Sequence, residues 1–581
     1  MKARCIPPLC FALLLCAGAA LQAQGAQAAQ AVQGALGAAA VQQGNRQTNR
    51  FEREQRRLHS GANPTQPQIK GAAPAPAAAP AASGPSFQLR RLVTSPSAIL
   101  TPAQIASVTD RYRNRRVTLA DLQHAVALIN ALYAKQGIIT ARAVLPPQHV
   151  VNGVVRIQLI EARLDRVAVA GARDTAPAFY LNRVHLRPGQ LLRLDALRRD
   201  LILMNSGDNV QVRALLAPGR AFGTTDLVLQ VAEPPRYSLL PSFDNIGRAS
   251  IGLQRIGLLA ENTSLFGDRD ALALSSSWAT GTFSQTASYN IPLTVGGAAL
   301  NFGEAFSGIR VRSGQLKTLG VTGNSVELTS GISQPLAVRQ GFVLTGSAAF
   351  DFIRSATRSS GFPVSRQIVQ AGDFGGSLQW FDRQGAWIAS DRVTFGTVNQ
   401  TGMHVFSLDA LSLVRQERMG SGFLGIFRFS GQAPFFAPPG GLPLVEQLQL
   451  GGIASVRGYP EGWQIGNKGY AFTTELDAPL PLRQYFFGGS FSRGLEGAIF
   501  MDNGGMFGLP GPRSGPAAMP SHLYFTSVGL GVVFNVPYFT GRLDWAAPLE
   551  NRAGLPKVGF DFYLQPHVPM SWLGLGPRKE H

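Results

Sequence analysis

The strongest constraint on the fold is an alternation of apolar and polar residues that runs from about residue 236 to residue 564. In the stretch 470–478, for instance, Glu475 and Asp477 alternate with bulky apolar or neutral side chains. A period of two predicts β-strands with one apolar and one polar face. Segments of about 10 residues with this pattern are typical of β-barrels that span a membrane. A soluble all-β protein is the alternative, and the charges opposite bulky apolar residues favour the barrel.

The length of this region sets the number of strands. At roughly 20 residues for each strand and its connection, residues 235–564 provide about 16 antiparallel strands, an even number as in single-chain bacterial barrels. After the N-terminal segment, no apolar run reaches the roughly 18 residues that a helical membrane span needs. The sequence therefore predicts a transmembrane antiparallel β-barrel as the C-terminal domain.

The N-terminal segment has the features of a secretory signal peptide, which we place at residues 1–28. Lys2 and Arg4 form a basic start, and an apolar core of signal-peptide length follows at 11–20. A first transmembrane helix is the alternative, but the apolar run is too short to span a bilayer. The cysteines of the chain all lie in this segment: Cys5, Cys10 and Cys16. We therefore expect no disulfide and no thiolate metal site in the mature chain.

Two unlike segments follow the signal peptide. Residues 29–60 are rich in good helix formers and polar on nearly all sides, which predicts a helix that cannot join an ordinary apolar core. Such a helix suits a polar cavity, where it would act as a plug, or else the segment is disordered. Residues 61–85 are rich in proline, alanine, serine and glycine, and this composition predicts an extended, semi-rigid linker.

Two small α/β units lie between the linker and the barrel, at residues 86–165 and 166–234. In the first, Thr101, Pro102 and Gln104 supply an N-cap, a proline at the first helical position and a capping-box partner, so a helix begins there. A second helix, with apolar residues at helical spacing, and two strands follow. Because the second unit has a similar order of elements, we interpret the two as a repeated module.

Two short motifs in the barrel region carry a resemblance to a known family. Four consecutive residues resemble the VRGY loop of the outer-membrane assembly and secretion superfamily: Val456, Arg457, Gly458 and Tyr459. Three further residues resemble the second signature of that superfamily, Phe-x-Asp-x-Gly on a barrel strand: Phe500, Asp502 and Gly504. Shorter matches at 145–148, 160–161, 244–247 and 266–268 narrow the resemblance to the two-partner secretion transporters of the haemolysin/haemagglutinin type.

This resemblance implies an architecture and a function. The two small units would be periplasmic POTRA domains, which bind polypeptides, and the barrel would lie in the outer membrane with a plug helix in its lumen. The partner would be a secreted exoprotein, unfolded in the periplasm and exported without nucleotide hydrolysis. The implied cargo-recognition residues lie in the first POTRA-like unit: Pro146, Pro147, Gln148 and Glu161.

The other functional classes are less well supported. A barrel-insertion factor of the same superfamily, whose product stays in the membrane, is the alternative to a secretion transporter. A passive porin does not explain residues 86–233. The sequence contains no His-Glu-x-x-His, no Gly-Lys-Ser/Thr phosphate loop and no Gly-x-Ser-x-Gly, so we predict no enzyme activity and no cofactor. We expect outer-membrane lipid as a second partner and no nucleic acid.

The net charge of +19 fits either a surface for anions or a compositional bias, and it does not decide between functions.

Two departures from the family pattern qualify the resemblance. The family usually has Gly-Asp-x-Gly-Tyr after the loop, whereas this chain has Asn467 at the acidic position. Residues 565–581 form a tail beyond the point where such barrels usually end.

Asp502 is expected on the lumenal face of its strand, where it can pair with Arg457. In a water-filled lumen such a pair would contribute only about 1 kcal/mol, so we expect it to position the loop rather than stabilise the barrel.

Overall fold

The computed structural model describes fourteen stretches of the chain, and every structural statement below concerns these residues: 38–47, 66–70, 85–136, 141–192, 194–207, 210–221, 223–400, 402–420, 422–439, 441–480, 494–508, 521–536, 539–550 and 558–568. The predicted signal peptide lies outside them. So do most of the predicted helix at 29–60, most of the linker at 61–85 and most of the tail.

Two short elements precede the first POTRA-like domain. Residues 38–47 form a helix, α1, and Ile69–Lys70 form a short strand, β1. Although α1 lies in the segment predicted to be polar on nearly all sides, Ala38, Ala39 and Val41 are buried against apolar clusters. The lumen that receives this helix is therefore not uniformly polar, as described below.

The first POTRA-like domain packs two helices against a three-stranded sheet. Its elements are β2 (Phe87–Leu89), β3 (Arg91–Thr94), α2 (Pro102–Thr109), a 3₁₀ turn (Asp110–Tyr112), β4 (Arg115–Val117), α3 (Leu119–Lys135), β5 (Ala141–Val144) and β6 (Val154–Glu161). Thr101 caps α2 in the predicted capping box with Gln104, and Thr118 and Asp121 form a second box at α3. The sheet order is β3-β6-β5, with β6 in the centre.

The second POTRA-like domain repeats the plan with one addition. Its elements are β7 (Arg163–Ala170), α4 (Pro177–Asn182), α5 (Leu194–Gly207), β8 (Gln211–Pro218) and β9 (Thr224–Ala232). The sheet order is β1-β8-β9-β7, so the strand β1 from the linker region occupies an edge of this sheet. Leu194, Leu197, Leu201 and Met204 of α5 are buried against the sheet, as the helical spacing of these residues requires.

Between Tyr237 and Pro566, sixteen of the described strands form a closed barrel, each antiparallel to its neighbours. The strands of this region are β10 (Tyr237–Asp244), β11 (Arg255–Asn262), β12 (Ala271–Ala279), β13 (Thr282–Pro292), β14 (Ala299–Arg310), β15 (Thr322–Arg339), β16 (Phe342–Ser359), β17 (Phe362–Phe381), β18 (Gly385–Asn399), β19 (Met403–Met419), β20 (Phe423–Phe436), β21 (Leu448–Leu450), β22 (Gln464–Gly466), β23 (Lys468–Pro479), β24 (Leu495–Phe507), β25 (His522–Val536), β26 (Phe539–Pro548) and β27 (Gly559–Pro566). β21 and β22 form a separate hairpin and are not part of the barrel wall.

The barrel closes between its first and last strands over a short seam. The β10–β27 ladder contains only two residue pairs, Phe243 with Leu564 and Asp244 with Tyr563. The Asn245 side chain extends this seam, because its amide donates to the Phe560 carbonyl at 2.7 Å and accepts from the Phe562 N–H at 2.7 Å. The Asn245 side chain thus forms hydrogen bonds with backbone groups of β27 that have no partner on β10, because β10 ends at Asp244.

The two faces of the wall follow the predicted alternation. On β24, Ile499 and Met501 are 54% and 42% exposed, whereas Phe500 and Asp502 are 5% and 0% exposed. The apolar set points outward and the motif residues point into the lumen. In the described part of the chain, no helix has the length and hydropathy needed to cross a membrane.

One end of the barrel contacts the second POTRA-like domain. The Ala176 N–H donates to the Gly267 carbonyl at 3.2 Å, and the Ser264 hydroxyl donates to the Asp174 carbonyl at 3.2 Å. Both contacts involve the β11–β12 turn, and the β13–β14 turn contacts α5 through Gly297 and Leu203. We call this the proximal end of the barrel and the opposite end the distal end.

Candidate functional site

The long connection between β20 and β23 folds back into the lumen instead of projecting from the distal end, and we call it the lumen loop. It contains a 3₁₀ turn (Leu444–Glu446), the β21–β22 hairpin and, between these two strands, the motif centred on Arg457. Gly451, Gly452 and Gly458 adopt φ values of 104°, 97° and 84°, which residues with a Cβ rarely adopt. At Gly458 a Cβ would also lie 2.8 Å from the Ala546 carbonyl oxygen, so glycine is required for the loop to approach the wall.

Arg457 and Asp502, the two charged residues of the motifs, form a bidentate ion pair. Nε and Nη2 of Arg457 donate to the two carboxylate oxygens of Asp502 at 2.7 and 2.8 Å. The backbone N–H of Arg457 donates to the same carboxylate at 3.0 Å. The Asp502 carboxylate therefore fixes both the side chain and the backbone of the loop tip.

Three further residues, which the sequence analysis did not select, complete the charge network. Nη1 of Arg457 donates to Glu475 at 2.8 Å and to Asp544 at 3.4 Å. Arg542 forms a second bidentate pair, with Glu475 at 2.7 and 2.9 Å, and donates to Asp544 at 2.6 Å. Glu475, Arg542 and Asp544 lie on β23 and β26, so the loop tip is tied to several strands at once. The alternation of the sequence places these three side chains in the lumen. It does not show whether a lumenal side chain belongs to a charge network or is solvated.

The expectation of a solvated pair in a wet lumen is wrong. Arg457 is 2% exposed and Asp502 is 0% exposed. The guanidinium carbon of Arg457 lies 3.3 Å from the centroid of the Phe500 ring, which covers one face of the guanidinium. Water is excluded because the loop packs directly on the wall. Removal of one partner from such a buried pair costs about 3–5 kcal/mol, well above the value for a solvated pair.

The uncharged motif residues seat the loop by packing. Val456 and Tyr459 are buried in a cluster with Leu450, Met506 and Phe525. The Tyr459 hydroxyl donates to the Thr526 carbonyl at 3.1 Å. A Cβ at Gly504 would lie 3.0 Å from Val456 Cγ2 and 3.2 Å from Leu450 Cδ1. The glycine of the barrel-wall motif therefore leaves the space that the valine of the loop motif fills.

Asn467, at the position where the family usually has aspartate, holds the base of the lumen loop. Its side-chain oxygen accepts from the Leu442 N–H at 2.9 Å, and its backbone carbonyl accepts from Gln432 at 3.4 Å. An amide oxygen accepts this backbone hydrogen bond as a carboxylate would, without adding a negative charge.

The helix α1 lies in the lumen against both the wall and the lumen loop. Glu327 on β15 accepts from Gln42 and forms an ion pair with Arg46. Ser307 donates to the Ala38 carbonyl at 2.9 Å, and Gln449 of the lumen loop donates to the Ala40 carbonyl at 2.6 Å. The helix and the loop therefore both lie in the lumen and contact each other directly.

The residues implied in cargo recognition do not converge on one surface. The Gln148 side chain donates to the Arg156 carbonyl at 2.7 Å and accepts from the Arg156 N–H at 2.8 Å. It thus replaces a strand partner of β6 beyond Val144, where Pro146 and Pro147 break β5. Glu161 lies five residues after Arg156 on β6, which places it about 17 Å from Arg156 in an extended strand.

Glu161 has an internal role that the second POTRA-like domain reproduces. Its carboxylate accepts from the Tyr133 hydroxyl at 2.9 Å, the Ala98 N–H at 2.8 Å and the Ser97 hydroxyl. At the corresponding place in the second domain, Glu233 accepts from the Tyr180 hydroxyl at 2.7 Å and from the backbone of Arg173 and Asp174. In both domains a glutamate thus ties a helical tyrosine to a loop, the one after β3 in the first domain and the one after β7 in the second.

The edge of the second POTRA-like sheet is accessible to an added strand, and a piece of the linker region occupies it. Ile69 and Lys70 pair in parallel with Ala214 and Leu215 of β8. The Ala214 N–H donates to the Gln68 carbonyl at 3.0 Å. β8 contains eight residues and β1 only two, so most of this edge has no strand beside it in the described chain.

Two parts of the chain match known protein families. Residues 87–162 match the POTRA domain of ShlB type, and residues 382–564 match the Omp85 superfamily domain. The first match contains Pro146, Pro147, Gln148 and Glu161, and the second contains both signature motifs.

Similar proteins cover between 68% and 91% of the chain. The heme/hemopexin transporter protein HuxB of Haemophilus influenzae (strain 86-028NP) is 22% identical, with 86% of this chain and 90% of that protein covered. The outer membrane transporter CdiB of Dickeya dadantii (strain 3937) is 25% identical, with 68% of this chain and 73% of that protein covered. The structure of CdiB from Escherichia coli has a TM-score of 0.66 at 18% identity, covering 91% of this chain and 98% of that chain. CdiB from Acinetobacter baumannii has a TM-score of 0.60 at 15% identity, covering 91% and 99%.

These matches confirm the resemblance to two-partner secretion transporters that the motifs indicated. They also confirm the fold class, a sixteen-stranded barrel that follows POTRA architecture and an N-terminal helix. The chain is thus an outer-membrane β-barrel protein with its POTRA part in the periplasm, and the proximal end of the barrel is the periplasmic end.

Proposed function

We propose that this chain, a two-partner secretion transporter in its domain content and fold, binds an unfolded exoprotein in the periplasm and exports it through the barrel without nucleotide hydrolysis. The observation that carries the proposal is the pairing of Ile69 and Lys70 with β8. The chain runs from the helix in the lumen to this sheet edge, so cargo binding at the edge and clearing of the pore involve one continuous segment.

The edge of β8 offers the chemistry that an extended polypeptide needs. Unpaired backbone groups on an exposed strand accept any sequence, because main-chain hydrogen bonds supply the affinity. A cargo strand that extends along β8 must displace Ile69 and Lys70, whose two residues make only a short ladder. In the first POTRA-like domain, by contrast, Gln148 already satisfies the backbone of Arg156. We therefore assign strand addition to the second domain.

The pore must be cleared for a polypeptide to pass. Both obstructions, α1 and the lumen loop, are held by side-chain contacts and by no covalent cross-link, since every cysteine lies within residues 1–28. No phosphate-binding loop is present in the sequence, and the periplasm contains no ATP. Folding of the cargo outside the cell is the driving force that fits these conditions.

Reconstitution tests the proposal directly. Vesicles containing the full-length protein with its POTRA part outward should take up added urea-denatured exoprotein in the absence of nucleotide. The cargo should become resistant to protease, and alkaline carbonate, which opens the vesicles, should release it as soluble protein. Cargo recovered in the membrane fraction would instead support the barrel-insertion alternative, which the short β10–β27 seam favours. No protection at all, with correctly folded barrels, would contradict both functions.

A further inference from the structure

The distal ends of four neighbouring strands carry cations without any carboxylate. Residues 305–326, on β14 and β15, contain Arg310, Arg312 and Lys317 and no acidic residue. Residues 352–372, on β16 and β17, contain Arg354, Arg358 and Arg366 and again no acidic residue. These strands are consecutive in the barrel, so the six cations lie on one side of it.

Four of these arginines share the outer surface of the wall, and we call them the arginine patch: Arg310, Arg354, Arg358 and Arg366. All four are exposed, whereas their neighbours Ile309, Ile353 and Gln367 face the lumen and are 5%, 1% and 6% exposed. The strand register brings them together. Thr322 pairs with both Arg310 and Arg358, while Arg366 pairs with Ala356, between Arg354 and Arg358.

The patch lies just above the apolar belt of the barrel. At the periplasmic end, Phe342, Trp380 and Trp387 form a cross-strand row of aromatic side chains on the outer face, the position of an interfacial girdle. At about 3.3 Å per residue and a strand tilt of about 40°, Arg354 lies about 30 Å above Phe342 and Arg366 about 35 Å above Trp380. The apolar band of such barrels is about 25 Å tall, so Arg354 and Arg366 lie about 5 and 10 Å above it, level with the headgroups of the outer leaflet. By the same measure Arg358, which pairs with Thr322 as Arg310 does, lies about 15 Å above the band.

The electrostatics of the patch are unbalanced. In the described part of the chain, no carboxylate pairs with any of its four guanidinium groups. Four like charges on one side of the wall repel one another, and an anion bound between them would offset that repulsion. Guanidinium groups bind phosphate through two parallel hydrogen bonds, and the neighbouring outward residues Phe350 and Phe374 would contact the acyl chains below.

We propose that the arginine patch binds the phosphate groups of lipids in the outer leaflet of the outer membrane. The lipid would neutralise the patch and fix the β14–β17 wall, the side of the barrel that carries Glu327 and so holds α1. The lipid therefore binds a surface distinct from the cargo edge on β8.

The test compares lipids with and without phosphate on the full-length protein. The protein is placed in phosphatidylcholine nanodiscs with lipopolysaccharide or with enzymatically dephosphorylated lipopolysaccharide, and bound lipid is counted by native mass spectrometry. The variant R310Q/R354Q/R358Q/R366Q should bind phosphorylated lipopolysaccharide roughly a hundredfold to a thousandfold more weakly, given the contribution of each of the four arginines near an anionic surface. The dephosphorylated lipid should bind wild type and variant equally weakly.

A matched control separates the patch from net charge. The variant R91Q/R115Q/R142Q/R156Q removes four exposed arginines from the first POTRA-like domain and changes the net charge equally. It should retain full lipid binding. Heat-modifiable migration in pure phosphatidylcholine verifies that each barrel is folded. Equal binding by wild type and patch variant, equal loss in the control, or displacement of the lipid by millimolar inorganic phosphate would each overturn the proposal.

Discussion

The guanidinium of Arg457 forms two hydrogen bonds to the two carboxylate oxygens of Asp502, at 2.7 and 2.8 Å, across the interface between the lumen loop and the barrel wall. Both groups are buried, and Arg457 also reaches Glu475. This geometry requires a planar guanidinium group, whose N–H donors point in fixed directions, and the ammonium group of lysine cannot supply it. The pair therefore specifies one seated position of the loop.

We predict that Arg457→Lys and Arg457→Ala both strongly reduce secretion while the barrel still assembles. Alanine leaves Asp502 and Glu475 buried with Arg542 as the nearest cation in the network, which costs about 3–5 kcal/mol locally. The sixteen-strand ladder is unaffected, so the barrel should still migrate as a folded, heat-modifiable species, with a lower melting temperature than wild type. Normal secretion by Arg457→Lys would contradict the requirement for the fork.

The same pair predicts a double-mutant result. Asp502→Ala should also impair secretion, and the combined variant should be little worse than Arg457→Ala, because that substitution already removes the contact to Asp502. Arg457 keeps its hydrogen bond to Glu475 in Asp502→Ala, so that single variant should be the milder one. Fully additive defects would show that the two residues act independently.

The packing of the loop gives an independent prediction. Gly504→Ala places a Cβ 3.0 Å from Val456 Cγ2, so the loop must shift by a few tenths of an ångström and secretion should fall. Val456→Ala in the same chain removes the contacting methyl groups and should restore part of the activity. Gly376→Ala, with its nearest atom at 3.8 Å, is the control and should secrete normally. If Val456→Ala worsens Gly504→Ala, the contact does not limit the position of the loop.

Much of the barrel could be predicted from the sequence because the physical constraints are local. Alternation at period two assigns each side chain of β24 to lipid or lumen, and it predicts Asp502 on the lumenal face, where the structure has it. Capping chemistry is local too, and Thr101 with Gln104 begins α2 as expected. The number of strands followed from the total length, because each strand must cross a membrane of fixed thickness.

The contents of the lumen could not be predicted in the same way. Whether an inward side chain meets water or protein depends on how a distant segment folds back, and Arg542 lies 85 residues beyond Arg457 in the sequence. The pairing of Ile69 with Ala214 is similarly non-local, and the proline-rich composition around Ile69 indicates only an extended chain. The role of Glu161 inside its domain is visible only when Tyr133 and Ser97 are placed beside it.

The contacts of α1 predict a change in pore opening. Glu327 accepts from Gln42 and pairs with Arg46, so Glu327→Ala removes two contacts that hold the helix. Planar-bilayer recordings should show more frequent openings than wild type, approaching the conductance of a deletion of residues 30–60. Asn301→Ala, which alters lumenal hydrogen bonds to Asn290 and Ser333 instead, should behave like wild type. Unchanged openings in the deletion would show that α1 does not block conductance.

The second POTRA-like domain should lose stability in acid through Glu233. Burial acts to raise the pKa of Glu233, but hydrogen bonds from the Asp174 backbone, the Tyr180 hydroxyl and the Arg173 backbone lower it overall. Because the folded-state pKa is depressed, the stabilisation is complete above the unfolded pKa of about 4.3 and is lost as the pH falls through the folded value. Hydrogen exchange over residues 164–233 should therefore show wild type more protected than Glu233→Gln at pH 7. The difference should shrink below about pH 4.5. A pH-independent difference would exclude the carboxylate charge as its origin.

The strand β1 allows the proposed coupling of cargo binding to pore clearance to be tested with a reversible cross-link. Lys70 and Leu215 are paired residues on neighbouring strands, so their Cα atoms lie about 5 Å apart, within the range for a disulfide. The mature chain is expected to contain no competing cysteine, since all three lie within residues 1–28. Lys70→Cys with Leu215→Cys should form a disulfide in the oxidising periplasm and keep the linker on the edge of β8.

The cross-linked transporter should not secrete, because the cargo cannot displace the linker strand and α1 cannot leave the lumen. Mild reduction should restore secretion, which separates the effect of the cross-link from that of the substitutions. The matched control is Arg213→Cys with Gln230→Cys, a paired and exposed position on β8 and β9 that staples the same sheet without the linker. It should secrete normally when oxidised. If the Lys70–Leu215 cross-link forms completely and secretion continues, cargo neither uses the edge that β1 occupies nor needs the linker to detach.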